Sequence, residues 1–238
     1  MKNSATHHAL VIAIASLGTS VNAQGDYKIS VSSTVKSSYV GGQTGIRLHD
    51  GPVIQNMVTV SRKGTYAYIW VSSPLDARWN RDFGTEIDLG IGHDFALAKG
   101  WRLDLGYAYY NLIPTESTRG DLHALSAYIY ATTGAVRPFA RIEHDIPQNP
   151  SVLPGGLTYK VGANWSIPAG IQIQGLVFGH GRAYGQRAEL VSAAQISAST
   201  SFKLGSFPAN AGVTFQRTLG KTGGFARNET VFWLGLSF

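Results

Sequence analysis

The sequence predicts an all-β fold: a transmembrane antiparallel up-and-down β-barrel of about twelve strands, following a cleaved signal peptide. Three observations support this class. Segments of about ten residues with alternating apolar and polar side chains recur from residue 27 onward. Tight turns alternate with long loops between them. The last segment ends in Phe238, with Leu236, Leu234 and Phe232 at alternate positions before it.

Residues 1–23 have the composition of a secretory signal. Lys2 supplies a positive start, Ala9–Gly18 an apolar core, and Val21-Asn22-Ala23 a small-residue cleavage site before Gln24. The core is too short for a membrane-spanning helix, which needs about 20 apolar residues. We therefore expect a signal peptide over 1–23 and one barrel domain over 24–238, since no linker or low-complexity block interrupts the rest.

Composition excludes several function classes. The chain has a net charge of +6, but its charged residues are scattered rather than clustered, which argues against a nucleic-acid surface. It has no cysteine, so neither disulfides nor a lipid-modified N-terminal cysteine are expected. We expect no cofactor.

Three segments show the strand pattern most clearly: Glu86–Phe95, Trp101–Tyr110 and Leu157–Ile167. Weaker copies occupy about 27–36, 53–62, 65–73, 121–131, 136–145, 171–180, 189–202, 207–218 and 229–238. In the segment 65–73, either Ala67, Ile69 and Val71 or Tyr66, Tyr68 and Trp70 could form the apolar face. Pro138 weakens the segment 136–145, because proline cannot donate to a strand ladder.

The connections alternate in length, as they do in bacterial outer-membrane barrels, whose short turns are periplasmic. Short turns are predicted at 63–64, 96–100, 133–134, 168–170 and 203–206. Long loops are predicted near 37–52, 74–85, 111–120, 146–156, 181–188 and 219–228. The even number of strands then leaves both termini in the periplasm.

The short turns also predict which residues lie opposite one another. The predicted pairs are Phe95 with Trp101, Asp94 with Arg102, Phe202 with Phe207, Thr200 with Ala209, Ile196 with Val213, Ile167 with Ile171, Trp165 with Ile173, Tyr130 with Arg137, and Tyr128 with Phe139. The two residues of each pair share a face, either the apolar face or the lumen side, whereas a slip of one residue would mix the faces.

Alternation alone also fits a soluble barrel with an apolar interior. Aromatic residues near the strand ends favour the inverted arrangement, because such rings settle at membrane interfaces. The predicted periplasmic girdle is Phe95, Trp101, Trp165, Phe202, Phe207 and Phe238, and the outer girdle is Tyr107, Tyr109, Tyr159, Phe215 and Phe232. A lipid-facing Arg or Lys near the midplane costs about 2–4 kcal/mol, so the charged residues are expected to face the lumen.

The same alternation gives the candidate site. The pore-lining candidates are Lys28, Lys36, Glu86, Asp88, Asp94, Arg102, Asp104, Tyr128, Tyr130, Arg137, Phe139, Arg141, Glu143 and Lys160. Their charges indicate either a field across a water-filled pore or a salt-bridged plug. A barrel of twelve strands lies between the nearly filled eight-stranded and the open sixteen-stranded barrels, so both alternatives stay open.

The sequence gives little support for a specific ligand site, a metal site or a catalytic site. The Tyr and Arg residues near the turn 133–134 could hold a sugar, an aromatic or an anionic solute, but they could equally be packing. Glu86 and Asp88 are too few to predict a metal site. A hydrolase would need a serine activated by a histidine, and His123 and Ser126 fall on opposite faces of one strand. We predict no catalytic residues.

Several stretches resemble the TorF-type family of small outer-membrane barrels described as porins. They are Ser38-Tyr39-Val40, Asp50-Gly51-Pro52-Val53-Ile54-Gln55, Gly64 to Ser73 (GTYAYIWVSS), Glu86-Ile87-Asp88-Leu89 and Gly106-Tyr107-Ala108-Tyr109-Tyr110. The resemblance covers roughly 29–110 and implies a porin without catalytic residues. Where that family tends to have Arg-Gly after its first Tyr-Val, this chain has Gly41-Gly42-Gln43.

The sequence therefore favours a narrow porin-like channel in the Gram-negative outer membrane for passive diffusion of small solutes or ions. The alternatives are a closed structural or surface-interaction barrel and, after it, an outer-membrane lipid hydrolase. The expected partners are membrane lipid, lipopolysaccharide, small solutes or ions, and the barrel-assembly machinery, which would recognise the last strand through Phe238.

Overall fold

The chain forms a closed barrel of twelve antiparallel strands. A computed structural model describes residues 26–42, 44–76, 85–113, 121–151, 153–168, 170–220 and 227–238. The predicted signal peptide lies outside these residues. The barrel strands are β1 (Lys28–Lys36), β4 (Val53–Arg62), β5 (Thr65–Pro74), β6 (Thr85–Ala96), β7 (Trp101–Ile113), β8 (Leu122–Ala131), β9 (Val136–Pro147), β10 (Gly156–Ile167), β11 (Ile171–Gly181), β12 (Glu189–Leu204), β13 (Phe207–Thr218) and β14 (Glu229–Ser237).

The ring closes where the last strand pairs with the first. β1 is hydrogen-bonded to β14 on one side and to β4 on the other, and Phe238 N donates to Val31 O at 2.9 Å. Two short strands, β2 (Tyr39–Val40) and β3 (Arg47–His49), form a separate small hairpin between β1 and β4. Within the described ranges, no helix has the length and apolar character needed to cross a bilayer.

Tight turns connect the strands at one end of the barrel, and their residues explain the geometry. Lys63 and Gly64 both have positive φ (47° and 88°), as a primed two-residue hairpin turn requires. Gly205, with φ +62°, turns the chain between β12 and β13. The predicted strand number and alternation of turn lengths are confirmed.

The apolar side chains point outward. Leu89, Ile91 and Phe95 on β6 are 47%, 53% and 42% exposed, whereas Glu86 and Asp88 on the opposite face are buried. A soluble barrel would bury the apolar set instead. Its exposure around the whole ring confirms the inverted arrangement, which suits a hydrocarbon surrounding.

The structure also decides the face of β5. Tyr66 donates to Asp104 inside the barrel (Oη to Oδ1, 2.9 Å), and the Trp70 ring lies 5.7 Å from the Tyr39 ring. Ile69, between them in sequence, is 50% exposed. Tyr66, Tyr68 and Trp70 therefore face the lumen, and Ala67, Ile69 and Val71 face outward.

Some predicted cross-strand pairs are wrong by two residues. Ile167 does lie opposite Ile171, and Trp165 opposite Ile173, as predicted. The pairs found at the other turns are Phe95 with Leu103, Asp94 with Asp104, Phe202 with Ala209, Thr200 with Ala211, Ile196 with Phe215, Tyr130 with Phe139, and Tyr128 with Arg141. A slip of two residues returns every side chain to its original face, so alternation cannot detect it.

Pro138 lies within β9 without breaking the barrel. It lies opposite Ala163 of β10. The ladder between β8 and β9 stops at Tyr130 and Phe139 and does not extend to Pro138. Proline is tolerated where a ladder stops, because no partner strand needs its missing N–H. The strand predicted there is confirmed.

The outward apolar face yields a stability prediction. Ile91→Arg, near the middle of β6, should destabilise the barrel by about 2–4 kcal/mol, because the charge would enter hydrocarbon. Met57→Arg is the matched control, since Met57 lies opposite Trp70 on the inner face and is 38% exposed there. Denaturant unfolding in lipid vesicles measures both variants. Equal losses would contradict the lipid-facing assignment.

Candidate functional site

Four of the eleven predicted charged residues form two local ion pairs on one side of the lumen. Arg102 Nε lies 2.8 Å from both carboxylate oxygens of Asp94, and Tyr130 Oη donates to the same carboxylate at 2.7 Å. Arg141 donates to Glu143 Oε2 at 2.6 Å. Arg102 and Arg141 are each paired with a carboxylate on their own or a neighbouring strand, so these four charges largely neutralise one another locally.

Tyrosines complete this ionic half. Tyr110 Oη donates to Glu143 Oε2 at 3.1 Å, and Glu143 is only 2% exposed. Tyr184, in the loop after β11, donates to Asp145. Burial, reinforced by the Asp145 carboxylate, raises the pKa of Tyr184 well above its usual value. The phenol therefore keeps its proton and remains a hydrogen-bond donor.

An apolar cluster lies beside the ionic half, inside the barrel. Phe139, Leu176, Phe178 and Ala193 are buried together, and Tyr128 and Tyr130 pack against them. The Tyr128 and Tyr130 rings are stacked with centroids 4.8 Å apart. The predicted Tyr–Arg cluster is therefore a packed one in which Tyr130 lies opposite Phe139, not Arg137.

The loop between β1 and β4 folds into the lumen and contacts the wall at distant points. Tyr39 Oη donates to Glu86 Oε2 on β6 at 2.7 Å, and Gln216 Nε2 on β13 donates to Gly45 O at 2.6 Å. Four strands lie between β6 and β13 on one side of the ring and six on the other. The loop 37–52, hereafter the inner loop, therefore crosses the barrel.

Three further contacts hold the inner loop. Lys160 Nζ on β10 donates to Gly42 O at 2.8 Å, Arg47 pairs with Glu229 on β14 at 2.9 Å, and His49 Nε2 lies 3.4 Å from Asp76 Oδ2. Burial and the Glu86 carboxylate raise the pKa of Tyr39 well above its usual value, so its hydroxyl stays protonated.

Glycine is needed at the tip of the inner loop. Gly45 has φ +69°, and a Cβ added there would lie 2.8 Å from Gln216 Oε1. A larger residue would be strained and would push the loop from the wall. The Gly-rich sequence of the loop thus permits its close approach to β13.

The other half of the lumen, hereafter the neutral half, is lined mainly by uncharged polar side chains and contains open space. A cavity of about 430 Å³ lies between the inner loop, at Val40 and Gly42, and the strands β10 to β14 and β1. Its amide-bearing lining residues are Asn164, Gln172, Gln174, Gln195 and Asn210. Its hydroxyl-bearing lining residues are Thr34, Ser197, Ser199 and Thr214. We call this cavity the neutral pocket.

Two of the predicted lysines line internal spaces. Lys36 and Trp233 border the neutral pocket. Lys28 borders a second cavity of about 310 Å³ at the end with the short turns, together with Arg62, Asp94 and Asp104. Arg137 lies near the neutral pocket, where it donates to Ser166 Oγ and Gln172 Oε1, both at 3.0 Å.

Sequence reasoning missed the inner loop and the neutral half of the lumen. The amides and hydroxyls occupy the predicted inner positions of their strands, so the alternation that located the charged residues also marked them. Glu86 and Asp88 are both buried on the inner face of β6, and Tyr39 donates to Glu86. Among the residues that the structure describes, no group of three or more His, Cys, Asp or Glu is placed to hold a metal ion.

Comparisons with known proteins bear on the fold. The chain matches no protein-family model and no curated sequence, so the TorF resemblance stays a prediction. Two solved structures, described as KdgM porin and as KdgM porin in complex with disordered oligogalacturonate, have a TM-score of 0.57 with 9% and 8% identity. The NanC porin has a TM-score of 0.51 and 11% identity. All three matches cover 88% of this chain and 98% of the other. The chain shares the barrel fold of these porins.

Proposed function

We propose that this chain is a narrow outer-membrane channel for passive diffusion of small solutes. The neutral pocket carries the proposal, because it is open space of about 430 Å³ inside a closed barrel. Transport of this kind needs no covalent chemistry, so no catalytic residue is assigned. Lumen width and the lining groups would set what passes.

The proposed path runs along the neutral half of the lumen and leaves through the cavity beside Lys28. The ionic pairs fill part of the lumen beside β6, β7 and β9, the apolar cluster fills part of it beside β9, β11 and β12, and the inner loop narrows what remains. Of the predicted pore-lining residues, we retain Lys36 as a lining charge and Lys28, Asp94 and Asp104 as mouth charges. The others act mainly as packing that defines the wall.

A closed structural barrel is the second candidate, and the internal packing favours it. Phe178 is 1% exposed and Glu143 is 2% exposed although both lie on the inner face, so part of the lumen is filled. Single-channel recording in a planar bilayer separates the two candidates. Discrete conductance steps would support the channel, and silence at all voltages would favour the closed barrel.

If the channel conducts, Lys36→Glu should shift its ion selectivity toward cations. Lys36 borders the neutral pocket, whose described lining residues include no carboxylate. Reversing its charge therefore changes the sign of the local field. The reversal potential in a salt gradient measures the shift, with Lys203→Glu, in an exposed position at the end of β12, as the control. An unchanged potential would place Lys36 off the path.

The cellular setting follows from the same proposal. The barrel would lie in the outer membrane of a Gram-negative cell, surrounded by lipid and lipopolysaccharide, with short turns and both termini in the periplasm. The last strand, ending in Phe238, would be recognised by the barrel-assembly machinery. Phe238 and Phe207 pack with ring centroids 5.1 Å apart, as part of the proposed periplasmic girdle. We also propose that this chain belongs to the TorF-type family.

A further inference from the structure

Two carboxylates lie next to each other where the inner loop meets the wall. Glu86 and Asp88 are two residues apart on the inner face of β6, and they are 5% and 9% exposed. Their side chains are close enough to share a hydrogen bond. Tyr39 of the inner loop donates to Glu86 Oε2, and its ring lies 5.7 Å from that of Trp70, the residue opposite Asp88. The pair is therefore enclosed between the wall and the loop.

This pair has no cation of its own among the residues that the structure describes. The ion pairs found there leave out both Glu86 and Asp88. Arg141 is bound to Glu143, and Lys160 donates to a carbonyl of the inner loop. Two ionised carboxylates in contact at a buried position need a compensating positive charge. The pair must therefore either share a proton or hold a cation.

The hydroxyl of Ser72 favours the cation. Ser72 is 0% exposed and lies directly opposite Glu86 on the inner face. Within the described part of the chain, neither Ser72 Oγ nor Asp88 Oδ1 has a hydrogen-bond partner. A buried hydroxyl beside a carboxylate normally donates to it, unless the two oxygens are held further apart than a hydrogen bond. Oxygens that share one cation are held apart in this way: two ligands at about 2.4 Å from calcium and a right angle apart are about 3.4 Å from each other.

The donor set suits calcium. Carboxylate and hydroxyl oxygens are hard ligands, and two carboxylates neutralise a divalent ion. Calcium accepts six to eight oxygens in a flexible geometry, whereas magnesium requires a near-ideal octahedron and retains several waters, which a buried pair does not favour. With only two charged ligands, the affinity should resemble that of weak extracellular calcium sites, with a dissociation constant of about 10⁻⁴–10⁻³ M.

We propose that Glu86, Asp88 and Ser72 form a calcium site that fastens the inner loop to the barrel wall. The ion would neutralise the carboxylate pair and fix the Glu86 carboxylate, which accepts from Tyr39 of the loop. This inference goes beyond the proposed channel, because calcium binding is a property of the folded barrel whether or not it conducts.

Trp70 provides an optical test of the location. Terbium occupies calcium sites and emits when a nearby tryptophan absorbs light, and Trp70 lies opposite Asp88. Titration of the chelator-treated, folded protein in detergent should give sensitised emission that calcium displaces. Glu86→Gln and Asp88→Asn should each weaken binding of both ions about tenfold or more, since each removes one of two charged ligands. Asp121→Asn is the matched control and should bind normally, because Asp121 is also buried and also accepts from a tyrosine, Tyr109.

Isothermal titration measures calcium binding directly. The absence of both heat and sensitised emission up to about 10 mM, ten times the weakest expected dissociation constant, would overturn the site. Equal binding by the wild type and Asp88→Asn would do the same, and emission that survives Trp70→Phe would place the ion elsewhere. Tighter binding of magnesium than of calcium would overturn the choice of ion. A silent barrel that binds calcium would keep the site and lose the channel, and a conducting barrel that binds none would keep the channel and lose the site.

Discussion

Replacing the inner loop by an Asn-Gly turn is expected to raise the single-channel conductance severalfold. Lys36 and Val53 are directly paired across β1 and β4, so a two-residue turn can join them without disturbing the barrel. The sixteen residues that the turn replaces contact β6, β10, β13 and β14 from inside. Their removal would join the neutral pocket to the opening at the end of the barrel opposite the short turns.

Substituting the wall residues that contact the inner loop should give smaller increases in conductance. Gln216→Ala removes the contact with Gly45 O, and Lys160→Met removes the contact with Gly42 O, so each should raise conductance less than the full replacement. A control deletion of residues 149–151 removes part of the connection between β9 and β10, in which Ser151 donates to Asn149, and leaves the inner loop in place. Equal conductance of the wild type and the loop replacement would show that the inner loop does not limit the path.

The faces of the strands could be predicted from sequence, whereas the registers at three of the four turns with predicted pairs could not. The inner and outer positions follow from a period of two, and the costs of exposing apolar groups to water or charges to lipid enforce them. Tyr130 lies opposite Phe139 rather than its predicted partner Arg137, but it is on the predicted face. Turn length decides between such registers, and the turns at 96–100, 133–134 and 203–206 each allow more than one.

The inner loop could not be predicted, because its contacts depend on residues far away in sequence. Gln216 and Gly45 are 171 residues apart, and no local pattern relates them. Its length was the available signal. A hairpin between Lys36 and Val53 needs only two residues, so a much longer connection points to a role of its own. The sequence prediction of the site named the charged residues and omitted the amides, although both kinds of residue occupy inner positions of their strands.

Arg141→Met is expected to destabilise the barrel by about 3 kcal/mol. Glu143 is 2% exposed and accepts from Arg141 at 2.6 Å, so the substitution would leave a buried carboxylate without its cation. Breaking a buried ion pair from one side costs roughly 3–5 kcal/mol. We expect the lower end, because the Arg141 side chain is 26% exposed. Denaturant unfolding in lipid vesicles measures the loss.

The double variant Arg141→Met with Glu143→Gln distinguishes a stranded charge from lost packing. Glutamine removes the charge but can still accept from Tyr110, which donates to Glu143 at 3.1 Å. The double variant should regain more than half of the lost stability. Arg102→Met is the comparison at the more exposed pair with Asp94, and its loss should be clearly smaller, because water can solvate the remaining carboxylate. If the double variant is as unstable as Arg141→Met alone, Arg141 stabilises the barrel through packing of its aliphatic chain. Packing rather than ion pairing would then hold the ionic half in place.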